Sequence, residues 1–125
     1  MKILGLLHFS TLFAYINRRN GGDLMSLLTI AAKDLEKYIR GNQGVVIDIR
    51  EEEEYKQGHI PGAINIPFEG VNETKIPFSK DTTIIFYCDR GNASLLLGRY
   101  YSRKGYNVIN IYGGFRAYRG EISVD

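Results

Sequence analysis

The chain has 125 residues, 44% apolar and 24% charged, with a formal net charge of +2. That length fits one ordinary domain able to bury its own core, and so small a basic excess gives no argument for nucleic acid while leaving room for a small anionic substrate. A single cysteine, Cys88, and two widely separated histidines, His8 and His59, exclude an intrachain disulfide and a thiolate-rich zinc or iron–sulfur site, so no metal or cofactor is expected.

At the N-terminus, Lys2 precedes an apolar run over residues 3–16 that is interrupted by His8, Ser10 and Thr11. The order is that of an export signal, but the run is shorter than the ~20 residues of a membrane span, and Asn17-Arg18-Arg19-Asn20 follows instead of a small-residue cleavage site. Residues 1–24 are therefore set apart as an apolar extension ending in the turn-forming Asn20-Gly21-Gly22-Asp23, and the folded domain is expected over residues 25–125, in the cytoplasm. Met25 is an alternative start.

Leu27–Ile30 reads as a short strand, and 31–40 as a helix carrying Leu35, Tyr38 and Ile39 on one stripe, stopped by Gly41-Asn42. The β-branched run Val45–Ile49 has the character of a strand buried on both faces. Residues 50–57 read as a helix closed by Gly58, with the acids Glu51 to Glu54 placed at the end its dipole favours. A turn at Pro61-Gly62 leads to a short strand over 63–66. Thr82–Tyr87 is a further strong strand, 95–104 a helix closed by Gly105, Val108–Tyr112 a strand, and 115–118 a short final helical turn. Alternating strands and helices point to an α/β fold: a parallel sheet of about four to five strands with helices on both faces.

Cys88 stands at the carboxyl end of the Thr82–Tyr87 strand, where open parallel sheets bind ligands. The run Cys88-Asp89-Arg90-Gly91-Asn92-Ala93-Ser94 then leads into a helix. Gly91 permits a left-handed turn, the loop amides can converge into an anion-binding nest, and the helix N-terminus adds partial positive charge. Asn92 or Ser94 is a candidate cap for that helix. The arrangement favours a reactive thiolate at Cys88 over a buried filler, with Arg90 a candidate to hold an anionic substrate and Asp89 expected to point outward.

Three spaced segments carry a family resemblance. Asp48-Ile49-Arg50, Glu54-Tyr55 and Gly58-His59-Ile60-Pro61-Gly62-Ala63-Ile64-Asn65-Ile66-Pro67 resemble the first motif of rhodanese domains. Cys88-x-x-Gly91-Asn92-x-Ser94 resembles their active-site loop. Tyr112-Gly113-Gly114-Phe115 with Tyr118 resembles their closing segment, where most members carry Trp and this chain carries Tyr. The resemblance spans about residues 27–122 and implies transfer of sulfane sulfur from thiosulfate or a persulfide, through a persulfide on Cys88, to cyanide or an acceptor thiol. It assigns the cradle to residues Asp89, Arg90, Gly91, Asn92, Ala93 and Ser94. A carrier module that relays sulfur to a protein partner, or an interaction domain of the same fold, is the alternative.

Two details refine the expected substrate. Cysteine phosphatases place an arginine after five intervening residues to grip phosphate, and here that position is Ser94. The arginine found late in many rhodanese loops is also missing, with Ala93-Ser94 in its place. Asp48 and Arg50 are expected to form an ion pair that orders the loops, and His59 to be structural. Arg116 and Arg119 are read as surface residues close to the cleft.

Overall fold

The computed structural model describes residues 26–39, 44–73 and 76–125. Within them, five strands form one parallel sheet in the order β1 (Ser26–Ala31), β5 (Asn107–Tyr112), β4 (Thr83–Tyr87), β2 (Gly44–Asp48) and β3 (Ile64–Asn65). The central strands read TIIFY and NVINIY, apolar and β-branched on both sides, because helices cover both faces. The expected fold class is the one observed.

Alternation along the strands divides the core. Val46, Ile85, Tyr87, Ile109 and Ile111 pack on one face with Leu35 of α1 (Leu35–Ile39) and, less buried, Phe115 of α5 (Gly114–Ala117). Ile47, Ile84, Phe86, Cys88 and Val108 pack on the other, against Val71 of α3 (Phe68–Glu73) and Leu97 and Tyr101 of α4 (Asn92–Arg103). Tyr87 and Cys88, adjacent in sequence, thus belong to opposite faces.

Several boundaries differ from the sequence reading, each for a local reason. The first helix is a 3-10 turn, Ala32–Asp34, running into α1; Arg40 and the stop at Gly41-Asn42 lie outside the described residues, as do His8 and the extension 1–24. The second helix, α2 (Glu52–Gln57), starts two residues late. Arg50 folds back onto Asp48, and Glu51 and Glu54 form a reciprocal capping box that fixes the start. Strand β3 has only two residues, since Ile66 and Phe68 already hydrogen-bond backward to Asp48 and Ile49 as the chain turns into α3. Helix α3 was not foreseen: Gly70 and Asn72 weaken its pattern, and burial of Val71 holds it in place. Among the described residues no helix is long and apolar enough to cross a membrane.

Candidate active site

Strand β4 ends at Tyr87, and the next residue delivers its side chain to the α3/α4 face. There the Cys88 sulfur accepts the backbone N–H of Gly91 at 3.0 Å and that of Ser94 at 3.4 Å. The loop can turn this tightly because Gly91 adopts φ +105°, in the left-handed region. The expected side-chain cap is not the one used. Gly91 is the N-cap of α4 and makes no side-chain cap bond, Asn92 is the exposed first helical residue, and the sulfur itself accepts the Ser94 amide that a capping oxygen ordinarily would.

Cys88 is only 7% exposed, so the thiol read as reactive lies at the floor of a bowl. Its wall is polar where it meets the sulfur. The Ser94 hydroxyl lies 3.4 Å from the sulfur and donates to Asn110 Oδ1 at 2.5 Å, with the Gly91 carbonyl at 3.2 Å. Asn110, a polar side chain buried in β5, was missed in the sequence; an asparagine inside the apolar run NVINIY was the available signal.

A second glycine-dependent contact buttresses the loop from outside. Phe115 N–H donates to the Cys88 carbonyl at 2.8 Å and Arg116 N–H to the Asp89 carbonyl at 3.0 Å. A Cβ on Gly114, which sits at φ +62°, would collide with the Cys88 carbonyl and stand 2.6 Å from that of Asp89. The Gly113-Gly114 pair therefore allows α5 to clamp the sulfur loop. Arg116, read as a surface residue, pairs its Nε with Asp89 Oδ2 at 3.2 Å, and Arg90 Nε lies 3.8 Å from the same oxygen. Asp89 and Arg90 both point outward, and Ala93 packs partly buried against the apolar cluster of the α4 face.

The remaining polar group occupies the opposite face. Asp48 is fully buried and receives five hydrogen bonds: Arg50 N at 2.9 Å and Nε at 3.0 Å on Oδ1, and Arg50 Nε at 3.2 Å, Nη2 at 2.8 Å and Tyr87 OH at 2.5 Å on Oδ2. Arg50 Nη2 also donates to the Gly58 carbonyl at 2.6 Å, and its guanidinium lies 4.1 Å over the Phe115 ring. Burial works to lower the Arg50 pKa, but the hydrogen bond and charge of Asp48 hold it above its ordinary value. Burial, then the bond to Asp48, push the Tyr87 phenol well above its ordinary range. His59 is buried, stacks on Tyr55 at 3.7 Å, places Nδ1 2.7 Å from the Tyr55 carbonyl and pairs its backbone with Ser123. Asp48, Arg50 and His59 thus tie β2, the 58–60 turn and the C-terminal segment together, and none of these bonds reaches the 88–94 loop.

Comparison with known proteins agrees with this geometry. The rhodanese-like domain family matches residues 31–121. The chain is 31% identical over 98 residues to YtwF of Bacillus subtilis, a protein provisionally named a sulfurtransferase; the match covers 78% of this chain and 95% of YtwF. It is 38% identical over 73 residues to the thiosulfate sulfurtransferase PspE of Escherichia coli, covering 56% of this chain and 69% of PspE. The crystal structure of a rhodanese-related protein from Thermoplasma volcanium superposes with a TM-score of 0.71 at 27% identity, over 78% of this chain and 99% of that one. A five-stranded parallel sheet that presents its one cysteine in an amide-lined loop, together with these relatives, places the chain in the rhodanese-like domain family, as a relative of sulfurtransferases.

Proposed function

We propose that the protein moves sulfane sulfur from thiosulfate or a persulfide donor to cyanide or an acceptor thiol, with Cys88 as the carrier. The observation that carries this reading is the convergence of the Gly91 and Ser94 amides on the Cys88 sulfur. Donors so placed stabilise a thiolate, and they are fixed by the fold before any substrate arrives. The Asn92 and Ala93 amides, in the first turn of α4, have no intrahelical acceptor and remain for a second sulfur atom.

In the proposed cycle the Cys88 thiolate attacks the outer sulfur of thiosulfate. The new S–S bond forms as the old one breaks, and sulfite leaves with the bonding pair. Cyanide or an acceptor thiolate then attacks the terminal sulfur, leaving as thiocyanate or as a new persulfide, and the Cys88 thiolate returns. Atoms and electrons balance without an external oxidant. Ser94 stands where a cysteine phosphatase would place its arginine, and its hydroxyl is committed to Asn110, so the loop supports a sulfur-sized group better than phosphate.

The Ala93-Ser94 pair in place of a late-loop arginine favours a second reading of the same chemistry, a relay fed by a persulfide partner instead of thiosulfate. Steady-state assays with thiosulfate and cyanide separate the two. Thiocyanate production that disappears in Cys88→Ser supports the first. Persulfide-fed loading of Cys88 without thiocyanate production supports the relay, and neither activity would overturn both.

A further inference from the structure

We infer that Asp89 sets the donor preference of this site by charge, an inference that rests on the sulfur-transfer reading. The loop 88–94 contains two charged side chains, Asp89 and Arg90, and α5 brings a third, Arg116, against the loop through its backbone bond to the Asp89 carbonyl. One carboxylate oxygen, Asp89 Oδ2, faces both guanidiniums, Arg116 at 3.2 Å and Arg90 at 3.8 Å. Arg119, the next cation of that segment, is spent on the carbonyls of Arg116 and Tyr118 at 2.6 and 3.1 Å.

Among the described residues, the groups hydrogen-bonded to the sulfur are all neutral: the Gly91 and Ser94 amides and the Ser94 hydroxyl, which is turned to Asn110. The two arginines at this loop are already engaged by a carboxylate one residue from the nucleophile. Thiosulfate carries two negative charges and must compete with Asp89 for those guanidiniums. A persulfide whose charge is confined to its sulfur needs only the amides. Asp89 thus acts as a positioning residue: it holds Arg90 and Arg116 and disfavours dianionic donors. Its exposure limits the effect, because exposed charges interact weakly and are screened by salt.

The test measures kcat and KM for two donors, thiosulfate and the persulfide of N-acetylcysteine methyl ester, in the wild type, Asp89→Asn, Asp89→Glu and Arg116→Gln, at low and high salt. In Asp89→Asn the ratio of kcat/KM for thiosulfate to that for the persulfide should rise roughly two- to tenfold at low salt, chiefly through KM, and most of the gain should vanish at high salt. Arg116→Gln should move the ratio the other way, and Asp89→Glu should restore the wild-type ratio. An active wild type whose ratio is the same in Asp89→Asn, or shifts equally at all salt concentrations, overturns the charge role while leaving sulfur transfer standing. A folded wild type that turns over neither donor overturns the sulfur-transfer reading, and the inference with it.

Discussion

Tyr87 and Cys88 follow one another in the chain, yet their side chains enter different worlds. On the α1/α5 face, Tyr87, Asp48 and Arg50 form a closed polar knot in which the buried carboxylate is satisfied by a guanidinium, an amide and a phenol. On the α3/α4 face, Cys88 lies in a bowl where the Gly91 and Ser94 amides converge on its sulfur. One face ties its polar groups to neighbouring loops; the other turns its amides onto the sulfur proposed to carry the transferred atom. The two are mechanically joined, since Phe115 lies under the Arg50 guanidinium while its amide holds the Cys88 carbonyl. The division follows from the pleat alone: a step of one residue reverses the face.

That contrast predicts where damage should appear. Arg50→Met leaves the Asp48 carboxylate buried and uncompensated, so it should cost about 3–5 kcal/mol of stability, the largest effect expected on this face. Urea unfolding measures it, and a loss below about 1 kcal/mol would dissolve the claim that the knot locks the fold. Ser94→Ala keeps both amide bonds to the sulfur but strands the Asn110 oxygen, for an expected cost of about 1–3 kcal/mol. Its sulfur-transfer rate should fall more than that of a variant weakened equally on the opposite face. Equal rates in the two would mean that the faces are not functionally distinct.

The smallest effect concerns pH. The Tyr87 phenol is held above its ordinary value, chiefly by burial and then by Asp48, so the folded state keeps a proton that the unfolded chain gives up. Stability from this group is complete below the ordinary tyrosine value of about 10 and declines above it, by up to about 1.4 kcal/mol per pH unit. Circular dichroism melts from pH 9 upward should show a steepening loss that is shallower in Tyr87→Phe. An unchanged slope would assign the alkaline sensitivity to other tyrosines.

Much of this was legible in the sequence. The β-branched runs at 45–49, 82–87 and 108–112 announced central strands because burial on both faces demands apolar residues at every position. Cys88 with Gly91 announced the loop because few residues turn a chain so sharply. What stayed hidden depended on partners distant in the chain. Asn110 matters only through Ser94, sixteen residues away, and Arg116 only through Asp89, twenty-seven residues away. The capping of α4 by a sulfur instead of an oxygen was likewise invisible, since propensity treats cysteine as a poor cap and cannot know that the strand aims it at the helix. Helix α3 escaped because its own residues are weak helix formers and its support comes from the sheet beneath.

The central proposal is that Cys88, with the Gly91 and Ser94 amides converging on its sulfur, carries a second sulfur atom. Intact-protein and peptide mass spectrometry after brief exposure to thiosulfate or a small-molecule persulfide, followed by addition of cyanide, tests it most directly. The account predicts a gain of one sulfur, about 32 Da, on the Cys88 peptide that cyanide removes and that Cys88→Ser never acquires. A native, folded protein whose Cys88 gains no sulfur from either donor would contradict it.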